Sequence, residues 1–266
     1  MMRVLECEDL QVCAGARALL QRVSFTLDSG VILGVAGRNG AGKSSLLRAA
    51  SGETRISGGS VRFRGQPVAT TAARQRAKHL AVLPQGSSLQ FDYSVREVIR
   101  LGRIPHGRRN DDAIIDSLIT QCDLDAQADQ SYLTLSGGER QRTQLARVLA
   151  QLQADERADL SGQLLLLDEP TSALDIPHQE RFLALFRDLR DRGCAIMLVL
   201  HDISLLSRCA DRLLFLQHGS TLALGPAQEL LTADMLSTLY DYPLQVMPLP
   251  QGSGIQVARL PREHVH

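Results

Sequence analysis

Val31-Ile32-Leu33-Gly34-Val35-Ala36-Gly37-Arg38-Asn39-Gly40-Ala41-Gly42-Lys43-Ser44 decides the fold. A compact apolar strand, Val31–Ala36, runs straight into a glycine loop, Gly37–Ser44, and Ser44–Ser51 continues with the apolar spacing of a helix. The loop matches G-x-x-x-x-G-K-[ST] with both flanks the pattern requires. Its glycines let the backbone wrap around phosphates with N–H groups pointing inward. Lys43 brings a point charge for terminal phosphate oxygens, and Ser44 a hydroxyl for Mg²⁺.

On the N-terminal side, Val4–Val12 and Val23–Leu27 read as strands at an edge of the fold, with Gly15 in the turn between them. On the C-terminal side, Val61–Phe63 and the hairpin-like Gly65-Gln66-Pro67 add antiparallel structure, and Leu80–Leu83 is a buried strand ending at Pro84-Gln85. From Gly86 to about Gln163 the pattern is helical, with segments Val95–Gly102, Asp111–Cys122 and Glu139–Leu152, which predicts an inserted lobe. Leu164–Leu167 and Ala195–Leu200 return as fully buried strands, separated by the helical run Gln179–Arg192. Two strand–helix alternations around a glycine loop predict a right-handed parallel sheet with ligands at the strand C-termini. After Arg212 come short strands, a turn at His218-Gly219, a break at Gly225-Pro226, a helix near Ala227–Leu239 and a Pro/Gly-rich tail. The whole is expected to be a single domain, residues 1–266, with its lobe at about 86–163 and a C-terminal extension at about 226–266.

Lys and Arg total 29 against 29 Asp and Glu, so the net charge of zero gives no electrostatic case for nucleic acid as a partner. The start, Met1–Val12, carries Glu6, Glu8 and Asp9 and lacks the apolar stretch of a secretory signal. The longest strongly apolar run, Ala195–Leu200, is far too short to span a bilayer. Cys7, Cys13, Cys122, Cys194 and Cys209 contain no C-x-x-C pair and read as small hydrophobes in a reducing compartment.

The Leu164–Leu167 strand delivers Asp168-Glu169-Pro170 to the sheet's C-terminal edge. There Asp168 can hold Mg²⁺ through water, and Glu169 is the natural general base for an attacking water. Gln85 and His201 end two other strands on the same edge, within reach of a terminal phosphate. Leu135-Ser136-Gly137-Gly138-Glu139 opens the run Glu139–Gln151, so it reads as a helix cap and as a helix N-terminus able to hold an anion.

With these residues in hand, the chain resembles a nucleotide-binding subunit of an ATP-binding cassette (ABC) transporter. Gly37–Ser44 resembles the family's Walker A motif, Gln85 its Q-loop, Leu135–Glu139 its signature motif, Leu164–Glu169 Walker B, Ser172-Ala173-Leu174-Asp175 the D-loop and His201 the switch histidine. The resemblance implies an α/β fold, a P-loop NTPase core with a parallel sheet, an N-terminal antiparallel β subdomain and an inserted helical signature lobe. It implies ATP and Mg²⁺ as cofactors, with Gly37, Arg38, Asn39, Gly40, Ala41, Gly42, Lys43, Ser44 and Ser45 binding the nucleotide. Ser44, Gln85 and Asp168 would serve the metal, and Glu169, His201 and Gln85 would be catalytic. A head-to-tail homodimer is implied, in which Ser136, Gly137 and Gly138 meet the partner's ATP. Many family members stack an aromatic side chain of the N-terminal hairpin on adenine, and Val12-Cys13-Ala14-Gly15 offers none.

Leu101-Gly102-Arg103-Ile104-Pro105-His106, the Leu145–Gln151 helix with the polar stretch Gln151–Gln163 after it, and Ala173–Gln179 resemble the haem-importer branch of the iron-chelate and cobalamin uptake group. The resemblance implies an ATPase at the cytoplasmic face of the bacterial inner membrane, held peripherally on two copies of a transmembrane permease that receives haem from a periplasmic haem-binding protein. Import of a ferric siderophore or cobalamin, or a soluble non-transport role, is the alternative. His106, His178, His264 and His266 are read as scattered histidines rather than haem ligands.

Overall fold

The computed structural model describes residues 2–86, 89–107, 111–152, 159–250 and 254–260. Strands β1 (Arg3–Ala14) and β2 (Arg17–Asp28) form a hairpin through the Gly15 turn. Then follow β3 (Ile32–Ala36), α1 (Lys43–Ser51), β4 (Gly58–Phe63), β5 (Gln66–Pro67), α2 (Ala73–Arg76) and β6 (Leu80–Leu83). The lobe supplies α3 (Val95–Leu101), α4 (Asp112–Gln121) and α5 (Gly137–Gln151). The chain re-enters the sheet as β7 (Leu164–Asp168), α6 (Ile176–Asp191), β8 (Ala195–Val199), α7 (Ile203–Ser207), β9 (Arg212–Gln217) and β10 (Ser220–Pro226). It continues through α8 (Ala227–Leu230), α9 (Ala233–Tyr240), β11 (Leu244–Pro248) and β12 (Ile255–Arg259).

The central sheet runs β10-β9-β3-β8-β7-β6, parallel from β9 through β6, with β10 antiparallel at one edge. A second sheet, β2-β1-β4-β5, is antiparallel throughout. This is the α/β architecture the sequence predicts. The period-two alternation of β7 explains its unbroken apolar text: Leu164 and Leu166 face one core, Leu165 and Leu167 the other. The first core lies between the two sheets around Leu46, Leu47 and Ala50 of α1. The second joins the sheet's other face to Phe182, Leu183 and Phe186 of α6, to Leu145, Val148 and Leu149 of α5, and to the buried faces of α3 and α4. The lobe is therefore anchored by its own apolar stripe on the sheet. At Gly102 the anchoring admits no side chain, because a Cβ there would lie 2.1 Å from the Arg147 carbonyl oxygen of α5.

Three expectations are corrected. Helix α6 begins at Ile176 rather than Gln179, because Asp175 accepts from the His178 N–H at 3.2 Å and Pro177 suits the first turn. The helix expected near Ala227–Leu239 is two helices, since Thr232 caps α9 by accepting from the Met235 N–H at 3.3 Å. The Pro/Gly-rich tail contains a paired hairpin in which Val246 faces Val257, tied to α7 by the Ile255 N–H donating to Ser207 Oγ at 2.9 Å. Of the stretch Gln151–Gln163, residues 153–158 lie outside the described structure, as do His264 and His266. Gln151 itself ends α5, and its amide donates to the carbonyls of Ala77 at 3.0 Å and Leu80 at 2.9 Å.

Candidate active site at the strand C-termini

Strands β3, β6, β7 and β8 end at one edge of the sheet, with Asp168 in register with Val199 and Leu83 with Leu167. The loops leaving that edge enclose a cleft of about 400 Å³. Its floor is the glycine loop and the first turn of α1, through Asn39, Gly40, Gly42, Lys43, Ser44 and Ser45. Gly42 is the helix's N-cap at φ 105°, a conformation that favours glycine, and a Cβ there would stand 2.7 Å from the Leu19 carbonyl oxygen. Gly37 and Ala41 are buried beneath the loop, while Arg38 is exposed and reaches Asp241 at 3.4 Å. These three lie outside the cleft wall.

Lys43 is buried, and its ammonium donates to the carbonyl oxygens of Gly37 at 2.8 Å and Arg38 at 3.1 Å. Burial lowers its pKa below the ordinary lysine value, against the opposing pull of Glu169 and Asp168. A loop carbonyl is a replaceable partner, so an anion entering the cleft can take over these donors.

Across the cleft stand Gln85, Glu169 and His201. The Gln85 amide donates to Glu169 Oε2 at 3.0 Å, and His201 Nε2 meets Glu169 Oε1. Gln85 and His201, expected on the same sheet edge as Asp168-Glu169, meet on the Glu169 carboxylate. Glu169 has a left-handed backbone at φ 54°, held by its N–H donating to Val199 O at 3.0 Å. A non-glycine residue in that region costs on the order of 1–3 kcal/mol, and here the strain aims the carboxylate between Gln85 and His201. Asp168 lies just below, 5% exposed, and its Oδ1 has no hydrogen-bond partner. A buried carboxylate oxygen left bare fits a cation or its bound water, so the residues present suit Mg²⁺.

The fourth expected element lies outside this cleft. Ser136 caps α5: its hydroxyl accepts from the Glu139 N–H at 3.3 Å and donates to Glu139 Oε2 at 2.7 Å, while its own N–H donates to the same carboxylate at 2.8 Å. These bonds lower the Glu139 pKa. Gly137 is exposed, and a Cβ on Gly138 would come within 3.1 Å of the Ala173 carbonyl oxygen, so the cap lies against the 172–175 turn. Helix α5 also touches the site's carboxylate residue through Gln141, whose amide donates to Glu169 O at 3.5 Å.

Sequence reading missed Arg17 and Leu19, which line the cleft beside Asn39 and Gly40. The search for a base-stacking group stopped at Gly15, whereas the cleft wall comes from the other side of that turn, on β2. An Arg two residues beyond a hairpin glycine was the available signal.

A glycine loop under an orphaned aspartate, with a glutamate gripped by Gln and His above it, defines a nucleoside triphosphatase site. The ABC transporter family model matches residues 20–172, and the chain belongs to that family, whose ATP-binding domain this is. Among curated relatives, Hemin import ATP-binding protein HmuV of Pseudomonas entomophila is 46% identical over 250 residues, covering 93% of this chain and 96% of that protein. The protein of the same name from Pseudomonas aeruginosa is 42% identical over 259 residues, covering 96% and 100%. A chain of an inward-facing metal-chelate type ABC transporter superposes with a TM-score of 0.78 at 26% identity, over 98% of each chain. The ATP binding subunit of another ABC transporter superposes at 0.76 with 22% identity, over 85% of this chain and 91% of that one. The chain is an ATPase subunit, and none of its described helices is long and apolar enough to cross a membrane.

Proposed function

We propose that this chain hydrolyses ATP to drive haem uptake through a separate membrane permease. The observation that carries the cargo is the 46% identity to the P. entomophila hemin import protein over nearly all of both chains. The chain would work at the cytoplasmic face of the inner membrane as a homodimer on two permease copies, with haem delivered by a periplasmic binding protein.

In this reading the N–H groups of the glycine loop and the Lys43 ammonium bind the β- and γ-phosphates. Ser44, Gln85 and Asp168 would hold Mg²⁺, which when bound neutralises charge shared by the β- and γ-phosphate oxygens. Glu169 accepts a proton from water as the water oxygen bonds to the γ-phosphorus and the bridging P–O bond to ADP breaks. His201 and Gln85 hold Glu169 and the γ-phosphate in line. Arg17 offers a planar guanidinium where a base can stack. The capped N-terminus of α5 at Ser136–Gly138, which does not line the chain's own cleft, would close the partner's γ-phosphate site.

Replacing Glu169 tests the chemistry. Glu169→Gln should retain ATP binding while hydrolysis drops by about a thousandfold or more, the scale of removing a general base together with its positioning. Hydrolysis at the wild-type rate would refute the assignment.

A further inference from the structure

Asp123, just past α4, sits in an unusual nest of donors. Its backbone is left-handed at φ 56°, and its carboxylate accepts from Arg181 Nη1 at 2.8 Å and Arg142 Nη1 at 3.2 Å. The third contact is His178 Nε2, at 3.1 Å. The other ring nitrogen of His178, Nδ1, meets Asp175, the residue that ends the 172–175 turn and caps α6. Arg142, on α5, is buried and also donates to the backbone carbonyls of Cys122 and Asp123. The groups facing the ring are therefore Asp175 and Arg181 from α6, Asp123 from the end of α4 and Arg142 from α5. Contacts with His178 and its arginines lower the Asp123 pKa, led by Arg181, and His178 lowers that of Asp175.

A neutral imidazole carries one N–H. With a carboxylate oxygen at each nitrogen, the neutral ring would set one lone pair against another. Only the imidazolium can donate to both. The arrangement ties three things together: the end of α4 in the lobe, the helix that carries Ser136–Gly138, and the turn against which that cap packs.

We propose that His178 is a positioning residue whose ring, in contact at both nitrogens, clasps Asp123 to Asp175 and so sets the α5 cap at the angle needed to complete a partner's ATP site. The inference rests on the reading of this chain as an ATPase with a composite site. Because none of the clasp's side chains lines the cleft, its loss leaves nucleotide loading in cis intact and slows turnover.

The test is steady-state ATP hydrolysis by the full chain with its permease, measured for the wild type, His178→Gln, Asp123→Asn and His178→Arg, with Glu169→Gln alongside. His178→Gln is expected to lower kcat on the order of tenfold with KM for ATP changed less than about twofold. His178→Arg, which offers a donor to each carboxylate, should recover kcat relative to His178→Gln. Asp123→Asn carries the same expectation as His178→Gln if that variant fails to fold. The proposal is overturned if the variants superimpose on the wild type, if KM rises with kcat unchanged, if melting temperature falls with kcat unchanged, or if His178→Arg is as slow as His178→Gln. Full hydrolysis by Glu169→Gln would instead defeat the ATPase assignment on which the clasp rests.

Discussion

Lys43 shows how a single side chain couples burial to binding. Its ammonium is desolvated, so it gives up its proton at lower pH than an exposed lysine would. The charged form binds phosphate, so ATP affinity of the isolated chain should fall as pH rises toward the lysine range, starting earlier than for a solvated lysine. Equilibrium binding of a fluorescent ATP analogue from neutral to alkaline pH reads this directly, and an affinity flat across the whole range would contradict it. The cysteines give a second residue-scale expectation. Cys7, Cys122, Cys194 and Cys209 are buried, and burial pushes the thiols of Cys122, Cys194 and Cys209 up to about 12. Cys13 is exposed, so a thiol reagent at mildly alkaline pH should label it alone in the native chain and all five in denaturant. Intact mass spectrometry counts the labels. Lys43, Ser44, Gln85, Asp168, Glu169 and His201 were all legible in the text, because each follows an apolar strand whose end is fixed by its own residues. The strained backbone of Glu169 and the bare oxygen of Asp168 were not, since both depend on neighbours brought in from β8 and the glycine loop.

At the scale of elements, the N-terminus of α5 separates capping from ligand contact. Ser136→Asp keeps a side-chain acceptor for the cap but sets a negative charge where a partner's phosphate would lie. Such a variant should melt near the wild-type temperature, bind ATP as a monomer and lose turnover. Ser136→Ala should instead cost about 1 kcal/mol of stability through the lost cap. Turnover at the wild-type rate in Ser136→Asp would count against a trans role for this helix. Gly102 offers a packing test: with a Cβ only 2.1 Å from the Arg147 carbonyl, Gly102→Ala must push α3 off α5, at about 1–3 kcal/mol. Chemical denaturation measures that loss. The strand and helix cores were readable from periodicity, and the helix ends less so. Asp175 and Thr232 moved the starts of α6 and α9 through caps whose strength lies in geometry rather than composition. The hairpin of β11 and β12 alternates visibly in Leu244–Pro248 and Ile255–Arg259, but the prolines and glycines between and around them masked it.

For the whole molecule, the two apolar cores account for the division of labour. One fixes the glycine loop and α1 between the sheets, and the other carries the lobe and its signature helix on the opposite face of the same sheet. In the proposed dimer, a nucleotide held by the first core would meet a helix end held by the second. Cargo left little mark on the physical text, because nothing in the described cleft is shaped for a macrocycle and the haem assignment comes through likeness to the hemin import proteins. Vesicles containing the chain bound to its cognate permease, supplied with the cognate haem-binding protein, make the direct measurement: haem moved per unit time with and without ATP, for the wild type and Glu169→Gln. The account predicts ATP-dependent haem transport by the wild type and none by Glu169→Gln despite retained ATP binding. Haem movement that is independent of ATP, or undiminished in Glu169→Gln, would contradict it.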